Sequence, residues 1–170
     1  DYIITDSPDD RGIDVALLYQ RHQFKPLQTC EYEIKFSRKN IRPTRNILHV
    51  AGEVLNGNIL DIFVCHFPSR SSGQRESEPA RIEAATLLKN KVDSLFIRRE
   101  NARIVIMGDF NDHPDDKSLS QILGAKSLLS PLQRDQLYNL FRHRTKEPEC
   151  GTYKYQGKWE ILDQFIVSGN

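Results

Sequence analysis

Cysteine, methionine and tryptophan are all scarce in this sequence, with three, one and one in 170 residues. Cys30, Cys65 and Cys150 are too few and too scattered for a disulfide framework or a zinc site. Cys65 lies inside an apolar run and reads as a small buried hydrophobe. No stretch approaches the roughly 18 consecutive apolar residues of a membrane span. An excess of charge of one sign is missing too: the formal net charge is +1. A globally basic nucleic-acid binder is therefore not indicated, although net charge says nothing about a local basic groove. What is present is ordinary, 38% hydrophobic and 28% charged residues, which excludes a wholly disordered or collagen-like chain. The length is that of one domain. The chain opens on Asp1 and Tyr2 rather than on Met, and is expected to be a processed or trimmed product.

Residues 12–19 read as a short buried strand after the turn-forming Ser7-Pro8-Asp9-Asp10. Residues 31–36 alternate charged with apolar or aromatic side chains, as a half-buried strand does. Residues 46–55 and 59–67 are apolar-rich and flank Asn56-Gly57, a strong hairpin signal. Over 79–98 the period changes. Ile82, Ala85, Leu88, Val92, Leu95 and Phe96 recur at spacings of three and four, which predicts a helix. Pro79 suits its first turn, with Ser77 or Glu78 as cap. Residues 103–108 predict a central strand, 117–123 a short helix, and 152–155 with 158–167 a hairpin. Strands, a long helix, a strand, then helix and hairpin make a layered α/β or α+β domain with a mixed sheet.

Three strand ends carry chemistry. In Ile104-Val-Ile-Met-Gly-Asp-Phe-Asn111 an apolar strand delivers Asp109 and Asn111 at its end, and alternation puts these two side chains on the same face. A carboxylate and an amide there can hold a hard cation or an attacking water beside a phosphate. An Asx-type turn accounts for the same two residues. In Val64-Cys-His-Phe-Pro-Ser-Arg70, His66, Ser69 and Arg70 can donate to a phosphate. A structural histidine and a strand-ending Pro68 are the plainer alternative. Asp163 stands in the otherwise apolar Ile161-Leu-Asp-Gln-Phe-Ile-Val167. Buried, it needs a partner. On an edge strand it faces water.

The three motifs "HFPSR", "IMGDFND" and "LDQFIVS", in this order and spacing, resemble the endonuclease/exonuclease/phosphatase superfamily. "RGIDVALLY" resembles one of its strands as well, and the likeness covers most of the chain, most closely to uncharacterised bacterial members. The resemblance implies part of a deoxyribonuclease I-like four-layer α/β sandwich with mixed, largely antiparallel sheets. It implies that Asp109 activates or aligns the attacking water, that Asn111 holds phosphate or water, and that His66 contacts the phosphate. Asp163 would orient a catalytic histidine or support the site, and Ser69 and Arg70 would bind substrate. Asp112 is expected to be a turn residue, and His113 has no counterpart.

The departures matter as much. The superfamily's early Glu metal ligand, its preceding Asn, and its final Ser-Asp-His motif find no match here. The chain is accordingly expected to be a single domain incomplete at both ends. The resemblance implies metal-dependent hydrolysis of a phosphate ester, a phosphodiester above all, with Mg²⁺ (or Mn²⁺) anchored at Asp109. In this chain alone that ion is expected to be weakly held or absent, and the chain to be inactive. The other reading is a non-catalytic fragment or degenerate member that acts as a binding module. A basic groove for nucleic acid has one candidate, the Arg-rich 70–81 loop, for which a solvated charged loop is the plainer account. Expected partners are a phosphate ester, nucleic acid among the candidates, and a second copy of the chain through exposed sheet edges. DNA, RNA, phospholipid headgroups and sugar phosphates are all compatible with such a fold.

Overall fold

The computed structural model of the chain describes residues 1–39, 41–147 and 149–170. A short antiparallel ribbon comes first, β1 (Tyr2–Ile4) with β2 (Ala16–Leu18). An antiparallel meander follows: β3 (Phe24–Tyr32), β4 (Ile47–Val54) and β5 (Ile59–His66). Helix α1 (Gln74–Arg98) then crosses to β6 (Arg103–Asp109), which lies parallel to β5. Two short strands, β7 (Lys126–Ser127) and β8 (Leu137–Asn139), precede a small hairpin of β9 (Tyr153–Tyr155) and β10 (Lys158–Glu160). The last strand, β11 (Asp163–Ser168), slots between β6 and β8. The main sheet is seven-stranded and mixed, in the order β3-β4-β5-β6-β11-β8-β7. The strand read from residues 103–108 is its middle one.

Strand alternation sorts the sheet into two faces. Phe63, Cys65, Ile104, Ile106 and Ile166 face α1, which sets Ala84, Ala85, Leu88, Val92 and Leu95 against them. Leu48, Val50, Val64 and Met107 face the other way, toward Val15 and Leu17 of the β1–β2 ribbon. Among the described residues no helix is long and apolar enough to cross a membrane.

Several boundaries differ from the sequence expectation, each for a local reason. The helix starts at Gln74, so Pro79 lies in its second turn and not its first. Neither Ser77 nor Glu78 caps it: the Ser77 hydroxyl donates back to the Gly73 carbonyl at 2.5 Å. Arg81 reaches back to the Gln74 carbonyl at 2.9 Å, serving a carbonyl of the first turn. Of residues 31–36 only Glu31 and Tyr32 are strand, as the end of β3, which begins at Phe24. A register irregularity at Pro26/Gln28 hides its period, and an edge strand tolerates the proline. Residues 12–19 keep strand pairing only over Ala16–Leu18, because Thr5 and Asp14 side chains take over the preceding backbone partners: Val15 N–H donates to Thr5 Oγ1 (3.1 Å) and Ser7 N–H to Asp14 Oδ1 (2.7 Å). The 158–167 strand breaks in two, because Thr152 Oγ1 accepts the N–H groups of both Leu162 (3.0 Å) and Asp163 (2.9 Å) and turns the chain into the main sheet. Residues 118–122 form one π-type turn.

Candidate active site

β5, β6 and β11 lie side by side, and their registers fix which residues meet. His66 pairs with Asp109 across the parallel β5–β6 ladder, and Asp109 pairs with Asp163 across the antiparallel β6–β11 ladder. The three therefore stand in a row on adjacent strands. Their parity places them on the sheet face away from α1, since Cys65, Gly108 and Gln164 point the other way. His66 Nε2 lies 3.7 Å from Asp109 Oδ2, with both side chains about one-third exposed. Asp163 is exposed and pairs with β6 alone, because β8 joins β11 only from Ile166 onward. The water-facing alternative read from the sequence therefore describes it, although β11 as a whole lies between β6 and β8.

Asn111 reaches this group by a different route from strand alternation, because β6 ends at Asp109. Asn111 takes a left-handed conformation (φ 50°) and donates its N–H to Asp109 Oδ1 at 2.8 Å. The Asx turn considered from sequence is thus real, and it leaves Asp109 Oδ2 beside His66. Asn111 Nδ2 donates one proton to the Phe67 carbonyl at 3.1 Å; among the described residues its second N–H and its Oδ1 have no partner. Phe67 and Phe110 pack edge to face at 5.1 Å beneath the turn. Phe67 N–H bonds the Asp109 carbonyl and Phe110 N–H the Leu162 carbonyl, so all three strand ends are bolted together.

Gly108 makes that junction possible. Its φ is 131°, and a Cβ there would run into the Cys65 carbonyl oxygen of the neighbouring strand. Gly108→Ala should cost about 3 kcal/mol or more of unfolding free energy, measured by urea denaturation, since strain and a backbone clash add. A loss below about 1 kcal/mol would mean that the strand end is loosely held.

A buried guanidinium governs the electrostatics. Arg45, 2% exposed, donates Nη1 to Asp9 Oδ2 (3.2 Å) and Nη2 to the Phe67 carbonyl (2.9 Å). Burial lowers the His66 pKa from its ordinary value; the Arg45 charge adds to this and Asp109 opposes it. The imidazole is therefore neutral at neutral pH. Asp9 is held well below the usual carboxylate range, first by the Arg11 hydrogen bonds and then by Arg45, against the cost of burial. A depressed carboxyl stabilises the fold above its unfolded value of 3.8 and loses that contribution as pH falls toward the folded value. The wild type should accordingly lose stability below about pH 4. Asp9→Asn should be less stable at pH 7 by about 3 kcal/mol and flatter in the acid range, as thermal melts at several pH values would show.

Sequence reasoning missed the scaffold behind the turn. Arg81 is completely buried on α1, its Nε 2.7 Å from Asp112 Oδ1. Ser118 Oγ donates to Asp112 Oδ2 at 2.6 Å and Gln164 Nε2 to the Asp112 carbonyl at 2.6 Å. Burial raises the Asp112 carboxyl, with Ser118 and Arg81 opposing. Asp112 is a buried ion-pair residue, not a simple turn residue. The available signal was Arg81 itself, a charge at the apolar spacing of the helix. Arg70 is also committed within the protein: Nε donates to the Asn111 carbonyl (2.5 Å), Nη1 to Glu160 (3.0 Å) and Nη2 to Asp116 (3.2 Å). It holds the turn and has little left for substrate, whereas Ser69 is hydrogen-bonded to Ser71 in the exposed loop.

Among the described residues no group of three or more His, Cys, Asp or Glu side chains gathers as metal ligands. Asp109 has one carboxylate oxygen, Oδ2, outside the turn, and Asp163 is the neighbouring carboxylate in the row. Magnesium is commonly held by one or two carboxylates completed by water and phosphate oxygens. These residues fit such an anchor but do not make a closed cage.

A family model described as the Endonuclease/Exonuclease/phosphatase family matches residues 1–170. A search of curated proteins gives no match. Among solved structures the chain is similar to truncated Caenorhabditis elegans TDP2, at 16% identity and TM-score 0.66, covering 99% of this chain and 62% of that one. It is similar to an endonuclease/exonuclease/phosphatase family protein from Bacteroides thetaiotaomicron, at 17% identity and TM-score 0.68, covering 99% and 60%. It is likewise similar to D. rerio TDP2 complexed with single strand DNA product, at 14% identity and TM-score 0.66, covering 98% and 62%. The chain thus spans about three-fifths of the length of these structures, and at such identities the likeness is one of fold.

Proposed function

The chain belongs to the endonuclease/exonuclease/phosphatase family, and on that premise we propose that His66, Asp109, Asn111 and Asp163 form the phosphate-facing part of a phosphodiesterase site of the nuclease type. The observation that supports it is the register: three strand ends present an imidazole and two carboxylates in one row on one sheet face. In this reading the neutral His66 donates an N–H to a non-bridging phosphate oxygen, and the free N–H of Asn111 donates to a second. Both bonds strengthen as negative charge builds on the phosphoryl oxygens. Asp109 Oδ2 accepts the proton of the attacking water as its oxygen bonds to phosphorus; the ester P–O bond breaks on the opposite side, its electron pair leaving on the ester oxygen, which takes a proton from solvent. Asp163 adds negative potential that favours the protonated product of that transfer. Arg70, Arg81 and Asp112 position the turn without touching substrate.

Mg²⁺ or Mn²⁺, the cofactor proposed for this chemistry, would be anchored by Asp109 and would neutralise charge on the phosphate. One relative is complexed with single strand DNA product, which supports nucleic acid as the phosphate ester. The test is hydrolysis of bis-para-nitrophenyl phosphate and of a labelled oligothymidylate by the chain, with and without Mg²⁺. Release of product from both supports the reading and overturns the expectation that the chain alone is inactive. Binding of the oligonucleotide with no turnover under any condition would favour the second reading, a phosphate-ester binding module. That second reading draws on one observation, the engagement of Asp109 Oδ1 and Asn111 Nδ2 by the turn itself.

A further inference from the structure

Beside the strand ends lies a cavity of about 610 Å³, walled by the loop before β2, the loop between β3 and β4, the loop from β5 to α1 and the first turns of α1. Four guanidinium side chains line it: Arg11, Arg38, Arg42 and Arg45. Three carboxylates line it too, Asp9, Asp10 and Glu76, so the walls are net cationic. Asp9 is shared between Arg11 (2.9 Å) and Arg45 (3.2 Å), one anion for two cations. Among the described residues no ion pair involves Arg38 or Arg42, and both are exposed.

Two buried groups of the wall lack partners among the described residues, Arg45 Nε and Thr44 Oγ1. Arg45 also joins this cavity to the candidate active site. Its Nη2 donates to the Phe67 carbonyl, the same oxygen that accepts Asn111 Nδ2. Ser69, three residues after His66, lines the cavity together with Ser71 and Ser72.

The geometry points to this cavity as a subsite for a second phosphate of the substrate, next to the phosphate held at His66 and Asp109. Guanidinium forks with hydroxyls among them are the donors that phosphate oxygens take. The volume falls within the roughly 300–1,000 Å³ of small-ligand sites, which leaves room for the sugar that carries the phosphate. This inference rests on the phosphodiesterase reading and narrows its substrate class: a chain of consecutive phosphodiesters, not an isolated diester.

The test is the affinity of the full chain for thymidine dinucleotide with no terminal phosphate, with a 5′-phosphate and with a 3′-phosphate, by calorimetry at one fixed ionic strength. One phosphorylated form should bind at least about tenfold more tightly than the unphosphorylated form. Arg38→Ala/Arg42→Ala should abolish that gain and leave the affinity for the unphosphorylated form unchanged. Both side chains are exposed, so the double variant removes no buried contact. Binding of the dinucleotide with no gain from either terminal phosphate, or a gain that survives in the double variant, overturns the subsite and leaves the phosphodiesterase reading standing. Failure of all three ligands to bind the wild type overturns the phosphodiesterase reading, and the subsite with it.

Discussion

In an active protein that contains this chain, Asp109→Asn should lower phosphodiester turnover by about a thousandfold or more while leaving the fold intact. The substitution preserves what Asp109 does structurally, because an amide oxygen can still accept the Asn111 N–H that Oδ1 accepts at 2.8 Å. It removes what Asp109 does chemically: the carboxylate charge and the proton acceptor at Oδ2, 3.7 Å from His66 Nε2. Turnover and circular dichroism measured on the same preparation separate the two. Retained activity with an intact fold would show that another group takes the proton of the attacking water.

The second large effect is on stability. Arg81→Met should destabilise the fold by about 3–5 kcal/mol, because it leaves the Asp112 carboxylate buried without its counter-charge. Total stabilities of about 5–15 kcal/mol make that a major fraction. Replacing both partners, as Arg81→Met/Asp112→Asn, should recover part of the loss, since no buried charge is then left unpaired. Urea titrations of both variants decide it. A single variant within 1 kcal/mol of wild type would mean that the pair is far better solvated than its burial indicates.

The long helix, the central strand, the Asn-Gly hairpin and the polar ends of three strands were all legible, because each rests on local periodicity or turn chemistry. Less legible were features set by partners distant in sequence. Arg45 looks like any loop arginine until Asp9 and the Phe67 carbonyl meet it. Arg70 looks like a free phosphate donor until Glu160 and Asp116 occupy it. Asp163 was read as either buried or on an edge facing water; it faces water, at an end of β11 that β8 does not reach. The place of Asn111 was right for the wrong reason, since a left-handed turn and not strand alternation carries it there.

The most direct test of the account is an amide and imidazole NMR titration of the chain with dimethyl phosphate, a diester too small to span two subsites. The row of strand ends predicts that signals of His66, Asp109, Phe110, Asn111 and Asp163 shift together along one saturating curve, with the Arg38 and Arg42 amides far less affected. Shifts scattered over the surface, or a saturating response that leaves the His66 imidazole unmoved, would contradict it.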